Sequence, residues 1–303
     1  MPPGGYLWWY VDALSADGQH GLTLIAFVGS VFSPYYAWAR RRGRADPEDH
    51  CALNVALYSP GAGRWCMTER GRTHCARTAS EFVIGPSRLH WDGQCLQIDM
   101  DERGAPLPRR VRGRVRLWPG QLQRFSTPID ADGRHRWGPI APQARIEVDL
   151  SEPGLRWQGH AYLDSNEGDE PVDGAFERWD WSRAQLPDGS TVVHYDLQWP
   201  GQPQRPDRAL SLRFDAQGGV DTLPTPAAQD LRRTGWQLAR RMRSDAPVQV
   251  ARQLEDTPFY QRALLAVPLG SGTVQAFHET LSVPRLVRPV VQAMLPFRMP
   301  RRA

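Results

Sequence analysis

The chain contains no lysine: all 37 basic residues are arginine, set against 33 Asp and Glu for a net charge of +4. The codon bias of a GC-rich genome accounts for this, and net charge bears on partners rather than on fold. No apolar run approaches the roughly 20 residues of a membrane-spanning helix. The N-terminus lacks the basic, apolar, small-residue succession of a secretory signal. The four cysteines, at 51, 66, 75 and 95, form no C-x-x-C pair, so neither a zinc ribbon nor a thioredoxin-like site is indicated. His50-Cys51 and His74-Cys75 are metal-like dipeptides whose spacing fits no standard ligand set, and free thiols are expected. There is no phosphate loop, no G-x-S-x-G, no H-E-x-x-H and no dinucleotide fingerprint. The sequence thus gives no sign of a nucleotide, a metal or a serine nucleophile, and no cofactor is expected.

What is present is a core-forming composition and a strand rhythm. The 303 residues are 41% hydrophobic and 23% charged, enough to bury a core in one large domain or two ordinary ones. Gly and Pro number 27 each, together about 18% against roughly 12% in ordinary usage. They punctuate the chain every ten residues or so, as in a sandwich or barrel. In Arg145 to Leu150 the apolar Ile146, Val148 and Leu150 take one face and Arg145, Glu147 and Asp149 the other. Arg110, Arg112, Arg114 and Arg116 oppose Val111, Val115 and Leu117 in the same way, and Leu210, Leu212 and Phe214 alternate with polar residues. Asp92-Gly93 marks a hairpin within Arg88 to Met100. Gly21 to Phe32 is apolar throughout and is expected to be buried on both faces.

Helix signals are few. Gln229 to Arg243 places Leu231, Leu238 and Met242 at helical spacing. Ser282-Val283-Pro284 can cap and open a helix, which Pro289 must shorten or kink. The segment ends in Phe297-Arg298-Met299-Pro300-Arg301-Arg302. A basic, apolar tail of this kind suits an acidic membrane surface; a loosely ordered terminus is the alternative.

Gly154 to Trp181 concentrates acids and aromatics. If Leu155 to Asp164 is a strand, then Arg156, Gln158, His160, Tyr162 and Asp164 share a face. Periodicity alone makes that face a solvated one. The density of aromatics makes it a candidate site, and His135 and Trp137 share the face of a second strand. Barrel interiors are where such polar residues enclose a ligand. Tyr10-Val11-Asp12 and Tyr162-Leu163-Asp164 form a weak internal echo, compatible with two barrels, the second starting near residue 150.

The stretch Gly5-Tyr6-Leu7-Trp8-Trp9-Tyr10-Val11-Asp12, continuing to Tyr36, resembles the carotenoid 1,2-hydratase (hydroxyneurosporene synthase) family of purple photosynthetic bacteria. So do Gly159-His160-Ala161-Tyr162-Leu163-Asp164-Ser165-Asn166-Glu167-Gly168, Trp179-Asp180-Trp181-Ser182-Arg183-Ala184, Leu254-Glu255-Asp256-Thr257-Pro258-Phe259-Tyr260 and Phe277-His278-Glu279-Thr280-Leu281. The likeness runs from near residue 5 to about 281. It implies an all-β fold of two lipocalin-like antiparallel barrels in tandem with a few short helices: residues 1–150, residues 151–281, and a tail at 282–303. It implies cofactor-independent addition of water to the C1–C2 double bond of an acyclic carotenoid such as lycopene or neurosporene. The expected location is the cytoplasmic side, peripheral to the inner photosynthetic membrane. The family's H-x-W and Y-x-D pairs fall on His135, Trp137, Tyr162 and Asp164.

The chemistry suits these side chains. Protonating the alkene at C2 puts positive charge on the tertiary C1. A carboxyl kept neutral by an apolar pocket can supply the proton, and Asp164 is the expected donor. Aromatic faces stabilise a cation by roughly 0.5–2 kcal/mol each; Trp137 and Tyr162 are expected there, with Trp157, Trp181 and His160 as secondary substrate contacts. His135 is the expected orienter and base for the water, while Tyr162 holds either that water or Asp164. A non-catalytic isoprenoid carrier and a hydratase of a shorter terpene are the alternative readings. Water, a carotenoid and membrane lipid are the expected partners, with no nucleic acid and no obligate protein.

Overall fold

The computed structural model describes residues 1–199, 201, 207–269 and 272–302. Two compact units make up the chain: Met1–Pro171 with Gln292–Ala303, and Val172–Val291. In the first unit the strands are β1 (Tyr6–Ser15), β2 (Gly21–Val28), β3 (Cys51–Tyr58), β4 (Arg64–Arg70), β5 (Cys75–Arg77), β6 (Glu81–Ile84), β7 (Ser87–Trp91), β8 (Leu96–Arg103), β9 (Arg110–Pro119), β10 (Thr127–Pro128), β11 (His135–Glu152) and β12 (Leu155–Gly168). Helix α1 (Pro34–Arg41) follows β2. It opens on a cap absent from the sequence expectations: the Ser33 side chain accepts from the Tyr36 N–H at 2.9 Å, and Pro34 stands at the start.

The first sheet has the order β22-β4-β3-β2-β1-β12-β11-β9-β8-β7-β6-β5, where β22 (Arg301–Arg302) is a short C-terminal strand, and β10 pairs with β11. One apolar cluster draws Leu24, Leu53 and Val55 from one half of this strip and Ile84, Ile98 and Val115 from the other. The strip must curl for those side chains to meet, and it forms a half-barrel around them. The alternation expected at Arg145–Leu150 is present, with Ile146, Val148 and Leu150 buried and Arg145 and Asp149 exposed. Strand β2 is buried along its whole length. The hairpin at Asp92-Gly93 joins β7 to β8, and Asp92 Oδ1 accepts the N–H groups of Gln94 at 2.8 Å and Cys95 at 2.7 Å. Residue 150 lies inside β11, whose hairpin with β12 pairs Leu150 with Leu155.

In the second unit the strands are β13 (Arg178–Gln185), β14 (Thr191–Gln198), β15 (Arg208–Phe214), β16 (Val220–Thr222), β17 (Ala228–Leu231), β18 (Arg240–Arg243), β19 (Gln249–Asp256), β20 (Tyr260–Leu269) and β21 (Gly272–Ser282). They form an antiparallel sheet of order β16-β15-β14-β13-β21-β20-β19 and a separate β17-β18 ribbon. That ribbon corrects the helix expected over Gln229 to Arg243. Three apolar positions are too few to hold a helix there. Instead the chain reverses at Thr234, whose carbonyl accepts the Gln237 N–H at 2.9 Å, with Gln237 at φ 58°. The antiparallel register then pairs Gln229 with Met242.

The all-β class thus holds. Two lipocalin-like barrels in tandem were expected; the first sheet is a half-barrel, and among the described residues both ladders end in open edge strands, β22 and β5 in one and β16 and β19 in the other. The C-terminal segment forms α2 (Val283–Leu286) and α3 (Pro289–Arg298), the break falling where Pro289 forbids continuation. The end of the tail is anchored rather than loose. Arg301 pairs with Glu69 and, at 3.0 Å, with Asp49, and Arg298 lies 4.6 Å over the Trp65 ring.

Candidate active site

Strands β1, β12 and β11 lie side by side in that order. Their register sets Tyr10 opposite Asp164 and Asp12 opposite Tyr162. On the other flank Trp137 stands opposite Asn166 and His135 opposite Gly168. Side chains alternate along a strand, so Tyr6, Trp8, Tyr10 and Asp12 share a face with Tyr162, Asp164, Asn166, His135 and Trp137. The reverse of the same strands carries Val11, Ala13, Ala161 and Leu163, which belong to the apolar cluster. The four residues matched to the family motifs therefore meet on the face opposite that core.

The centre of this face is Asp164, 3% exposed. Its Oδ2 accepts the Trp137 indole N–H at 2.8 Å and the Tyr162 hydroxyl at 2.9 Å. Tyr162 stands edge-on to Tyr10, ring centroids 6.5 Å apart, and the Tyr10 hydroxyl donates to Asp12 Oδ2 at 3.1 Å. Phe125 packs edge-on against Trp137.

A second group lies two residues along β11, roughly 7 Å away by strand rise. The His135 ring, fully buried, shares a 2.8 Å hydrogen bond between Nδ1 and the Tyr6 hydroxyl. Its backbone N–H donates to Asp130 Oδ1 at 2.8 Å. Burial lowers the His135 pKa below its ordinary value and outweighs the opposing pull of Asp130 and Glu170, so the ring is neutral near pH 7. The Glu170 carboxylate faces Nε2 at 3.6 Å. That favours the tautomer with its proton on Nε2 and leaves Nδ1 to accept from Tyr6. Burial also pushes the Tyr6 phenol far up. Gly168 makes this packing possible: a Cβ there would stand 2.4 Å from Tyr6 Cε1 and 2.7 Å from His135 Nδ1.

The three secondary positions fall elsewhere. His160 shares the face of Tyr162, but at its exposed end with Arg156 and Gln158; on this face burial begins at Tyr162. Trp157 occupies the opposite face of β12 in the apolar cluster and stacks on His20. Trp181 is buried in β13 of the second unit, opposite Tyr195 and Glu279. Residues missed by the sequence reading are Tyr6, Tyr10, Asp12, Asp130, Gly168 and Glu170. The one usable signal was the Tyr-x-Asp echo, whose two copies turn out to be strands that pair. Among the described residues no group of three or more His, Cys, Asp or Glu side chains is arranged to hold a metal ion.

Residues 24–303 match the model of the carotenoid hydratase CrtC family. The chain is 57% identical to an acyclic carotenoid 1,2-hydratase of Rubrivivax gelatinosus, the alignment covering all of this chain and 75% of that protein. It is 53% identical to the acyclic carotenoid 1,2-hydratase of Thiocapsa roseopersicina, over 99% of this chain and 74% of that one. In fold it is similar to an AttH protein of Nitrosomonas europaea, with a TM-score of 0.65, 13% identity and 92% of each chain covered. It is also similar to kievitone hydratase of Nectria haematococca, with a TM-score of 0.56, 10% identity and coverage of 93% and 90%; at such identities the likeness concerns fold alone. A match over nearly the whole sequence, with relatives more than half identical, places this chain in the carotenoid hydratase family, whose members are hydro-lyases.

Proposed function

We propose that this protein adds water across the C1–C2 double bond at the end of an acyclic carotenoid such as lycopene or neurosporene, by acid catalysis and without a cofactor. The observation that carries the reading is the buried Asp164 carboxyl, held through one oxygen by Trp137 and Tyr162. An indole N–H can only donate, so with Oδ2 accepting two hydrogen bonds the transferable proton of the neutral acid resides on Oδ1. Burial in a low-dielectric setting favours that neutral form. Transfer to C2 creates a tertiary cation at C1, beside the faces of Trp137 and Tyr162, each worth roughly 0.5–2 kcal/mol. Water then captures C1. His135, neutral and donating from Nε2, orients it.

The substrate lives in the bilayer, and the C-terminal tail is the proposed contact. On α3 Val290, Met294 and Phe297 recur at helical spacing and are exposed, Phe297 by 73%, with Arg288 and Arg298 near its ends. Such a face suits shallow insertion among anionic headgroups. We also read the two units as opened lipocalin-like barrels in tandem. The functional test is incubation of the purified protein with lycopene in liposomes. A product heavier by one water supports the proposal. Pigment bound but unchanged refutes it in favour of a carrier, and hydration of linalool but not lycopene moves the substrate to shorter terpenes.

A further inference from the structure

The site holds a second carboxyl that the hydration reading leaves unused. Asp12 is fully buried, at 0% exposure. The β1–β12 register puts it across from Tyr162, while Tyr10 stands across from Asp164. The two Tyr-x-Asp segments therefore form a reciprocal square on one face of the sheet. Within each strand the tyrosine hydroxyl donates to its own aspartate, at 3.1 Å for Tyr10 and 2.9 Å for Tyr162. Diagonal neighbours of this kind stand roughly 7–8 Å apart between Cα atoms, a separation that admits a reacting double bond and a water between two carboxyl groups. Two other buried acids, Glu102 and Glu279, are held by Arg70 and Arg262. Asp12 accepts from the Tyr10 hydroxyl, and Asp164 from the Tyr162 hydroxyl and the Trp137 indole.

His135 is poorly placed to be the base. With Nδ1 accepting from Tyr6 and the proton on Nε2 facing Glu170, the ring has no lone pair to offer the water. Two carboxyls close together in a buried site resist ionising at once. A pair sharing one proton supplies both an acid and a base.

Resting on the hydratase reading, we propose that Asp12 is the base of the water-capture step, Asp164 being the acid of the protonation step. The π electrons of C1=C2 form the new C2–H bond with the proton from Asp164 Oδ1. A lone pair of the water oxygen forms the C1–O bond. The O–H bond that breaks leaves its electrons on that oxygen and its proton on Asp12. Return of a proton from Asp12 to Asp164 resets the pair, with one water consumed and no electron exchanged. The carboxylate of Asp12 also faces the cation while it lasts.

The test separates protonation from capture by carrying out the reaction in D2O. In the Asp12→Asn variant, Asp164 still deuterates C2 and then takes back either isotope. Recovered carotenoid therefore gains deuterium at C2 while hydration falls by roughly 10²-fold or more. Hydration by Asp12→Asn within a few-fold of wild type overturns the inference. So does loss of both hydration and exchange in a variant that still folds and binds carotenoid, which would assign Asp12 to the protonation step. If Asp12→Asn does not fold, Tyr10→Phe decides, since it removes only the hydroxyl that holds the Asp12 carboxyl. Its kcat for hydration is expected to fall roughly fivefold with exchange and KM unchanged, and an unchanged kcat overturns the inference. Wild-type protein that shows neither hydration nor exchange would instead refute the hydratase reading itself.

Discussion

Replacing Tyr162 by Phe removes one hydroxyl from a site otherwise left intact. The ring stays, so the packing of the fully buried Tyr162 is preserved, and Trp137 continues to donate to Asp164 Oδ2. The lost bond, 2.9 Å long, changes character during the reaction. Before proton transfer it is a hydrogen bond to a neutral acid, worth about 1 kcal/mol. As the proton leaves, the acceptor becomes a carboxylate and the bond becomes charge-assisted, worth roughly 1.5–3 kcal/mol. Only the difference, about 0.5–2 kcal/mol, lowers the barrier, so the rate of hydration falls roughly 2- to 30-fold. The ground-state contact with substrate is unaltered, so KM is unchanged. The assay is single-turnover conversion of lycopene in liposomes, read by chromatography and mass. A variant as fast as wild type, or one slowed only through KM, would refute the assignment of Tyr162 to the acid.

Gly168→Ala places a methyl group 2.4 Å from Tyr6 and 2.7 Å from His135. It is expected to cost roughly 1–3 kcal/mol of stability by overpacking and to disturb the Tyr6–His135 bond, as read by thermal unfolding and by the NMR shifts of the His135 ring. In the second unit, burial lowers the His194 pKa from 6.5 to about 4, with Arg243 adding to the effect. The unfolded chain therefore binds this proton first, and stability is lost as pH falls from about 6.5 towards 4. That is up to about 3 kcal/mol; denaturant melts of His194→Gln across this range should show a shallower decline. Replacing Val290, Met294 and Phe297 together by Ser should leave the melting temperature nearly unchanged, because all three are exposed. Sedimentation with anionic liposomes should drop severalfold. Undiminished liposome binding would remove α3 from the membrane contact.

Local signals were readable in the sequence wherever one stretch of chain determined the outcome. Ile146, Val148 and Leu150 alternate because one side of β11 meets the core and the other meets water. Asp92-Gly93 and Pro289 act through their own backbone preferences. Ser282 precedes α2 as expected but makes no side-chain cap bond, whereas the Ser33 cap opens a helix of only eight residues, too short for periodicity to reveal. The helix expected at Gln229–Arg243 failed because the β17–β18 pairing replaced a weak apolar stripe.

The site was harder to read, because its burial comes from strands distant in sequence. Along β12 one polar face passes from exposed Arg156, Gln158 and His160 to buried Tyr162 and Asp164, a change that the alternation of residue types does not show. Family likeness supplied His135, Trp137, Tyr162 and Asp164. It supplied no register, so the opposition of Tyr10 to Asp164 and of Asp12 to Tyr162 had to come from the fold. The same register puts Trp157 on the wrong side of its strand.

The most direct test of the acid-first account is hydration in D2O by wild type and by Asp164→Asn. The account predicts product carrying deuterium on C2 from the wild type, and no conversion by a variant that still folds and binds carotenoid. Product without carbon-bound deuterium, or turnover by Asp164→Asn near the wild-type rate, would contradict it.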